Sequence, residues 1–245
     1  MSDEIVTTIG KVDSIRNETH DVKTFRLNLD EEIRFVPGQY CLLSLMDNKK
    51  FDGEERPFTF SSPPEGDNKI VELTIKRMGE FTTALHSLSE NEQLRLKGPL
   101  GETLNFDESV KEDVVFLAGG SGITPFISAI RFAYTNNLPN RMLLLYGNMT
   151  KDDIIYREEL RELGSQEKFT VVNTIAKDIP ENWSEETGFI DRKMIERYVE
   201  QPEDRLWYVC GPPPMMRAME DILEAMKVPK DMWRMEKWEI PGKSN

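Results

Sequence analysis

A glycine-rich stretch between an apolar run and a helical pattern constrains this chain more than any other feature. The run at residues 114–118 is short, apolar and rich in β-branched side chains, as in a strand buried on both faces. Gly-Gly-Ser-Gly follows at residues 119–122, and a helix is then predicted, with Thr124 as its N-cap and Pro125 in its first position. The bare backbone of the turn meets the free N–H groups of the new helix, so a diphosphate can approach closely. Such a turn is weak evidence by itself, because many α/β loops need glycine and bind nothing.

Before residue 100 the pattern is that of strands. Val71, Leu73 and Ile75 alternate with polar residues, as a half-buried antiparallel strand should. Turn-rich pieces separate six such segments, and one helix, at about residues 79–88, interrupts them. Six antiparallel strands predict a small barrel. The strands are expected at residues 5–15, 22–29, 39–46, 56–61, 70–77 and 93–97.

After residue 107 the hydrophobic period changes. Apolar runs now alternate with helical patterns, which predicts a parallel sheet with helices on both faces. We therefore expect two domains, an antiparallel β-barrel at residues 1–107 and a doubly wound α/β domain at residues 108–245. The glycine turn and the Cys-Gly-Pro-Pro sequence at residues 210–213 both follow predicted strands, so both should lie where such sheets bind ligands. The strands are expected at residues 114–118, 142–146, 169–174 and 206–210, and the helices at 124–135, 153–163 and 213–226.

Composition excludes several classes of function. The formal net charge of -13 argues against nucleic acid as a general partner, because phosphate backbones are bound through an excess of Lys and Arg. Two cysteines, Cys41 and Cys210, exclude a disulfide scaffold and cannot supply the four thiolates of an iron–sulfur cluster, and no metal site is predicted. We expect a cytoplasmic protein without a transmembrane segment, because no apolar run is long enough to cross a bilayer and the first residues are unlike a signal peptide.

Six short motifs make the chain resemble the ferredoxin reductase-like flavoenzymes from about Ile5 to Trp238. One resembles the family's flavin motif, Arg-x-Tyr-Ser/Thr-x-x-Ser, another its Gly-x-x-Ser/Thr phosphate turn, and two its nicotinamide-nucleotide motifs. The resemblance rests on all of them standing in the family's order and spacing. They are Pro-Gly-Gln-Tyr at residues 37–40, Arg-Pro-Phe-Thr-Phe-Ser-Ser at 56–62, Gly-Glu-Phe-Thr at 79–82, Gly-Pro-Leu-Gly at 98–101, the turn at 119–125 and Cys-Gly-Pro-Pro at 210–213.

The resemblance implies roles for individual side chains. Arg56 offers a planar fork of donors that suits the diphosphate of FAD. Phe58 is expected beside the flavin, where it replaces the family's usual tyrosine and loses the hydrogen bond of that hydroxyl. Thr59 is expected near N5, the flavin atom that receives hydride, and Cys210 over C4 of the nicotinamide, where it is not a nucleophile. The residues implied in cofactor binding are Arg56, Pro57, Phe58, Thr59, Thr74, Ile75, Lys76, Gly79, Glu80, Phe81, Thr82, Gly119, Gly120, Ser121, Gly122, Ile123, Thr124, Pro125, Cys210, Gly211, Pro212 and Pro213, and Thr59 and Cys210 are also implied in catalysis.

The activity that the resemblance implies is that of a flavin-dependent oxidoreductase. Hydride passes from NADH to FAD, and electrons then pass to a separate acceptor such as a ferredoxin, a cytochrome, an oxygenase component or a quinone. NADH is favoured because Met149 stands where many relatives have arginine. Residues 210–215 also most resemble the cytochrome b5 reductase and nitrate reductase branch, which favours NADH. Lys151 keeps NADPH possible, because it can reach a 2′-phosphate.

Two alternative functions stay open. One is an electron-transfer subunit of a larger complex, of the dihydroorotate dehydrogenase or hydrogenase type. Its usual members carry a C-terminal cysteine cluster, which this chain lacks. The other is a non-catalytic nucleotide-binding protein, which loss of Arg56 or of the glycine turn would have favoured. Near the C-terminus, Trp238 stands where relatives place an aromatic residue close to the flavin, although packing alone explains it equally well.

Overall fold

The computed structural model of this chain describes residues 4–64 and 69–236, so Trp238 and the C-terminal tail lie outside the described residues. The chain divides into two compact units, each containing one six-stranded sheet. The division does not follow a single cut in the sequence, because two segments from the second half of the chain belong to the first unit. The first unit is Met1–Lys111, Thr124–Pro139 and Asp152–Arg157, and the second is Glu112–Ile123, Asn140–Lys151 and Glu158–Asn245.

The sheet of the first unit is antiparallel throughout. Its elements are β1 (Val6–Asn17), β2 (Val22–Leu29), β3 (Tyr40–Leu45), β4 (Arg56–Thr59), β5 (Ile70–Lys76) and β6 (Gln93–Leu100), with one helix, α1 (Glu80–His86), between β5 and β6. Their order in the sheet is β4-β3-β6-β1-β2-β5, and every neighbouring pair runs antiparallel. The six strands and the helix confirm the sequence prediction, with boundaries that differ by a few residues.

The first sheet curls until its two edge strands nearly meet. Leu73 and Ile75 of β5 are buried in the core of the unit, as their alternation predicts. Directly after β4, Phe60 forms an isolated antiparallel bridge with Leu73. The N–H of Ser61 donates a hydrogen bond to the carbonyl oxygen of Glu72 at 2.9 Å. These contacts join the edges β4 and β5, so the sheet approaches the closed barrel that was expected.

The sheet of the second unit is parallel throughout. Its strands are β7 (Val114–Gly119), β8 (Met142–Asn148), β9 (Phe169–Ile175), β10 (Glu186–Thr187), β11 (Leu206–Cys210) and β12 (Trp233–Met235). They lie in the order β10-β9-β8-β7-β11-β12, and every neighbouring pair is parallel. All residues of the central strand β7 are buried, which confirms the strand predicted there. The helices in this part of the sequence are α2 (Thr124–Thr135), α3 (Arg157–Leu163), α4 (Arg192–Tyr198) and α5 (Pro213–Ala225).

Helices α4 and α5 contribute to the hydrophobic core of the second unit. Met194 of α4 and Leu223 of α5 share one buried cluster with Leu117 of β7 and Val209 of β11. Burial of such side chains contributes about 1.5–3 kcal/mol each relative to exposure, which holds the helices on the sheet. Within the described part of the chain, no helix combines the length and the apolar character needed to cross a bilayer.

Four elements differ from the sequence predictions. The helix expected from residue 153 begins at Arg157, because Tyr156 has a left-handed backbone with φ of 57° that a helix does not accept. Helix α4 was not predicted, although the side chain of Asp191 marks its start by accepting a hydrogen bond from the N–H of Met194 at 2.7 Å. Strands β10 and β12 contain 2 and 3 residues, too few to produce a periodic signal.

Asp113 connects the amino-terminal ends of three neighbouring strands. It precedes β7, and its carboxylate accepts hydrogen bonds from Arg141, which precedes β8, and from Arg205, which precedes β11. The backbone N and the Nε of Arg141 each lie 2.8 Å from a carboxylate oxygen. Burial by itself would raise the pKa of Asp113, but the hydrogen bonds from Arg141 and Arg205 outweigh it and lower the pKa.

Replacing Asp113 with asparagine should lower the free energy of unfolding at neutral pH by about 1–3 kcal/mol, because Arg205 loses a charged acceptor. The folded-state pKa lies below the unfolded value, so this stabilisation is complete above roughly pH 4 and disappears as the pH falls through the folded value. Urea unfolding should therefore show a difference between wild type and variant that shrinks in acid. Glu158→Gln is the control, because its ion pair with Arg161 is exposed and contributes little. Equal stability of wild type and Asp113→Asn at neutral pH would contradict the prediction.

Candidate functional site

Strand β4 carries the predicted flavin motif. It is an edge strand that pairs with β3, and an edge position tolerates Pro57, which has no N–H to donate. Thr59 is buried at the end of the strand, and Phe58 is half-buried against the core. The Arg56 side chain is 38% exposed, so solvent reaches its guanidinium. The strand therefore presents a cation at one end and an enclosed hydroxyl at the other.

The structure brings Arg56 next to the predicted phosphate turn. The Cζ of Arg56 lies 5.8 Å from the centroid of the Phe81 ring, and Phe81 belongs to that turn. The Nη2 of Arg56 also donates to Oε1 of Glu54. Sequence reasoning missed Glu54, because one carboxylate two residues before an arginine carries no specific signal in an acidic chain. The flavin motif and the phosphate turn, which are distant in the sequence, therefore lie side by side through Arg56 and Phe81.

The turn before α1 is held by its own side chains. Gly79 has φ of 158°, and a Cβ added there would have no atom within 4 Å, so the space beside it is open. The hydroxyl of Thr82 accepts a hydrogen bond from the N–H of Met78 at 2.7 Å and donates to the carbonyl oxygen of Gly79 at 3.2 Å. The ammonium of Lys50 lies 2.6 Å from Oε1 of Glu80. Hydrogen bonds of Thr82 therefore hold the turn, and open space lies beside Gly79.

The three residues predicted on β5 use their side chains within the protein. Ile75 is 1% exposed and lies in the hydrophobic core. The Nζ of Lys76 lies 3.3 Å from Oδ2 of Asp21. The hydroxyl of Thr74 is hydrogen-bonded to three other hydroxyl groups. A flavin beside this strand would therefore contact its backbone more than these side chains.

In the second unit, the glycine turn and residues 210–213 follow neighbouring strands. Ala118 of β7 is paired with Cys210 of β11, so the two loops leave the sheet side by side. A Cβ on Gly122 would lie 2.2 Å from the carbonyl oxygen of Cys210, and one on Gly119 would lie 2.9 Å from Cδ of Pro212. The atoms around Gly122 belong to the backbone, so only glycine allows the two chain segments to approach so closely there. The structure therefore brings both predicted nicotinamide-nucleotide motifs together at the carboxyl edge of the parallel sheet.

The glycine turn is held from β8 by Tyr146, which sequence reasoning missed. Its hydroxyl donates a hydrogen bond to the carbonyl oxygen of Gly120 at 2.9 Å. Tyr146 is paired with Ala118 near the carboxyl end of β8. Its position near that end of a predicted strand was the one sequence feature that could have identified it. Gly120 itself has φ of 52° and open space where a Cβ would stand. The turn thus combines a fixed shape with free space beside its backbone.

The remaining predicted residues lie around these two loops or open the following helices. Ser121 and Gly211 are half-buried, and Ile123 is buried. Thr124 and Pro125 are buried as the first residues of α2, and Pro213 is the first residue of α5. A 3-10 turn, Gly120–Ile123, precedes α2, so Thr124 lies inside the helix and the N-cap role expected for it is wrong.

The residues present fit the two cofactors that the sequence resemblance implies. Arg56 supplies a partly exposed, planar cation for a diphosphate, next to the open space at Gly79. The second unit supplies bare backbone with open space at Gly120, and Gly122 of the same turn lies against the backbone of Cys210. Within residues 4–64 and 69–236, no group of three His, Cys, Asp or Glu side chains is placed to hold a metal ion.

Two family models match the chain. The oxidoreductase FAD-binding domain matches residues 10–104, and the oxidoreductase NAD-binding domain matches residues 116–221. These matches confirm that FAD and a nicotinamide dinucleotide are the cofactors, and they support NADH.

Curated and solved relatives agree with these models. The glycine betaine monooxygenase reductase subunit of Pseudomonas aeruginosa is 32% identical over 216 residues, which are 84% of this chain but 57% of that relative. NADH-cytochrome b5 reductase 2 of Ajellomyces capsulatus is 29% identical, over 85% of this chain and 68% of that protein. The cytochrome b5 reductase domain of Ulva prolifera nitrate reductase superposes with a TM-score of 0.80 at 25% identity, over 94% of this chain and 97% of that domain. The chain therefore contains an oxidoreductase FAD-binding domain followed by an oxidoreductase NAD-binding domain, and its fold is ferredoxin reductase-like.

Proposed function

We propose that this chain is a reductase that passes electrons from NADH through bound FAD to a separate acceptor, most simply a redox protein. The relatives described above support it, because one is the reductase subunit of a monooxygenase and another is an NADH-cytochrome b5 reductase. This chain spans only 57% of the first of them, so the acceptor is proposed as a class. The observation that carries the proposal is the backbone approach of Gly122 to Cys210, which sets the glycine turn against residues 210–213 at the carboxyl edge of a parallel sheet.

We assign the flavin to residues of the first unit. The fork of Arg56 holds the diphosphate of FAD, and residues 79–82 complete that grip. Phe58 would lie beside the flavin, and Thr59 would supply the hydroxyl near N5. The backbone of residues 74–76 lines the same site. When bound, FAD supplies the redox chemistry: it accepts hydride from NADH and releases electrons to the acceptor.

We assign NADH to residues of the second unit and to the start of α2. The bare backbone of residues 119–123, followed in sequence by Thr124 and Pro125 at the start of α2, would receive the dinucleotide diphosphate. Residues 211–213 bound the same site. Cys210 is 4% exposed, and its small side chain leaves room for the nicotinamide ring. Hydride transfer needs no acid or base from the protein, so the task of these residues is to position the two rings.

The proposed domain boundary lies at residue 107, with FAD bound by residues 1–107 and NADH by residues 108–245. The ends of the two matched models, at residues 104 and 116, support this boundary. We also propose a cytoplasmic location. Cys41 and Cys210 are buried thiols outside any disulfide, which suits a reducing compartment.

An anaerobic titration of the purified protein tests the function directly. The protein should be yellow, and NADH should bleach the blue absorbance band of the flavin faster than NADPH does, because Met149 offers no charge to a 2′-phosphate. Flavin released by heating should be FAD. A protein without flavin, or a bound flavin that neither nucleotide reduces, would refute the reductase and favour the non-catalytic alternative.

A further inference from the structure

The first sheet closes at a short seam directly after the flavin motif. The seam consists of residues 60–62, which follow β4, and residues 72–74 of β5. The N–H of Ser61 donates to the carbonyl oxygen of Glu72 at 2.9 Å. The N–H of Glu72 donates to the hydroxyl of Ser62 at 3.0 Å, and so to a side chain instead of a backbone carbonyl. Backbone pairing across the seam is therefore sparse, and side chains must help to hold it closed.

Four buried hydroxyl groups meet at the seam. This hydroxyl cluster consists of Thr24, Ser61, Thr74 and Tyr156, each at most 5% exposed. The Oγ1 of Thr74 lies 2.7 Å from that of Thr24 and 3.0 Å from the Oγ of Ser61, and it accepts a hydrogen bond from Tyr156. One hydroxyl has one proton and two lone pairs, so three partners use the Thr74 hydroxyl fully. Burial raises the pKa of Tyr156 to about 12, so its hydroxyl stays protonated and donates at physiological pH.

Arg131 holds the same seam from α2. Its Nη1 donates to the carbonyl oxygen of Ser61 at 2.8 Å and to Oε2 of Glu72 at 3.2 Å, and so contacts both sides of the seam. The side chains of Arg131 and Glu72 are 16% and 12% exposed, so little solvent screens the pair. The Cζ of Arg131 also lies 5.1 Å from the centroid of the Tyr156 ring. Arg131 and Tyr156 therefore act on the seam as one assembly.

Both residues come from segments that follow strands of the second sheet in sequence. Arg131 lies on α2, after β7, and Tyr156 lies just before α3, after β8. Both segments nevertheless belong to the first compact unit. The left-handed backbone of Tyr156, with φ of 57°, is strained for a residue with a side chain, and surrounding contacts must offset that strain. The hydrogen bond from Tyr156 to Thr74 is one such contact.

We propose that Arg131 and Tyr156 are positioning residues for the flavin, which hold the seam closed and thereby fix Thr59 and β5. The inference rests on the proposed function, which assigns Thr59 and the backbone of residues 74–76 to the FAD site. Thr59 stands two residues before Ser61. Ser61 belongs to the hydroxyl cluster, and its carbonyl oxygen accepts a hydrogen bond from Arg131. A loosened seam displaces Thr59 and the backbone of β5 together. Rates of group transfer fall steeply with displacements of about 1 Å, so a loosened seam should slow the reduction of the flavin.

Tyr156→Phe is the main test, because it removes one hydroxyl and keeps the ring over which Arg131 lies. The dissociation constant of FAD from the apoprotein should rise about tenfold, as expected for one lost buried hydrogen bond. The limiting rate of flavin reduction at saturating NADH should fall about tenfold, while the NADH concentration for half-saturation changes less than about twofold. Quenching of FAD fluorescence gives the first quantity, and stopped-flow absorbance gives the other two.

Tyr134→Phe is the matched control, because Tyr134 lies on α2 but is 56% exposed, and it should behave as wild type. The thermal midpoint of the Tyr156→Phe apoprotein should fall by only about 2–4 °C. The visible circular dichroism of the bound flavin should change, which a purely structural role does not require. A lowered midpoint with wild-type FAD affinity, limiting rate and flavin spectrum would overturn the proposal.

Arg131→Lys is an independent variant that keeps the positive charge but loses the planar guanidinium. It tests whether the seam positions the flavin even if Tyr156→Phe does not fold. Arg131→Lys should also weaken FAD binding about tenfold. The double variant should lose less affinity than the two single fold-losses multiplied together, because both residues hold one assembly. Arg26→Lys is its control, since Arg26 reaches the same Glu72 at 3.9 Å from a more exposed position. Wild-type protein that binds no FAD would refute the proposed function itself. Variants indistinguishable from a FAD-binding wild type would refute only this inference.

Discussion

Gly122→Ala is expected to slow reduction of the flavin by NADH at least roughly a hundredfold while FAD remains bound. The new Cβ would lie 2.2 Å from the carbonyl oxygen of Cys210, 2.5 Å from its carbonyl carbon and 2.8 Å from the N of Gly211. All three are backbone atoms, so no side chain can rotate away and the two loops must separate. Overpacking of this kind costs about 1–3 kcal/mol or more, and it displaces the residues assigned to the nicotinamide. Stopped-flow reduction of the variant, with its FAD content measured beforehand, checks the prediction.

Gly120→Ala is the matched control for this prediction. Gly120 has φ of 52°, but a Cβ there would meet nothing within 4 Å, so alanine adds backbone strain of roughly 1–2 kcal/mol without a clash. Its rate should fall far less than that of Gly122→Ala. If both variants were reduced as fast as wild type, the turn would not belong to the NADH site. Loss of FAD or of secondary structure in Gly122→Ala would instead mean that the whole fold depends on this contact.

Arg56→Ala is expected to weaken FAD binding about a hundredfold, so that the purified protein loses its colour. A charge-assisted hydrogen bond contributes about 1.5–3 kcal/mol, and a planar fork can make two such bonds to a diphosphate. Because about 1.4 kcal/mol is a factor of ten, the loss of even one good bond is readily measured. Arg56→Lys should lie between wild type and alanine, since it keeps the charge and loses the fork. Titration of the apoprotein with FAD, followed by fluorescence, gives all three affinities.

Arg34→Ala is the control for Arg56, because Arg34 is 77% exposed in the same unit and pairs with Glu32. It should bind FAD as wild type does. If Arg56→Ala kept its colour and the wild-type affinity for FAD, Arg56 would not belong to the flavin site. The diphosphate would then have to be held elsewhere, and the turn at Gly79 would need another cation beside it.

Much of the fold was predictable because it depends on local pattern. Alternation along β5 and the uninterrupted apolar run of β7 reflect side-chain geometry that each strand carries by itself. The turn at residues 119–122 was equally local, because glycine marks the places where a backbone must be bare. The elements that escaped prediction were short, such as β12, or depended on one residue, such as the left-handed Tyr156 that delays α3.

By itself, then, the sequence determined the two kinds of sheet, the order along the chain of the strands and helices that it predicted, and the motifs that resemble those of flavoenzymes. Only the tertiary structure decided what surrounds each motif. It brought together residues that are distant in the sequence: Phe81 with Arg56, Cys210 with Gly122, and Tyr156 and Arg131 with the seam. The physical reason is that periodicity records which face of an element is buried, whereas the partner across that face depends on how separate elements pack.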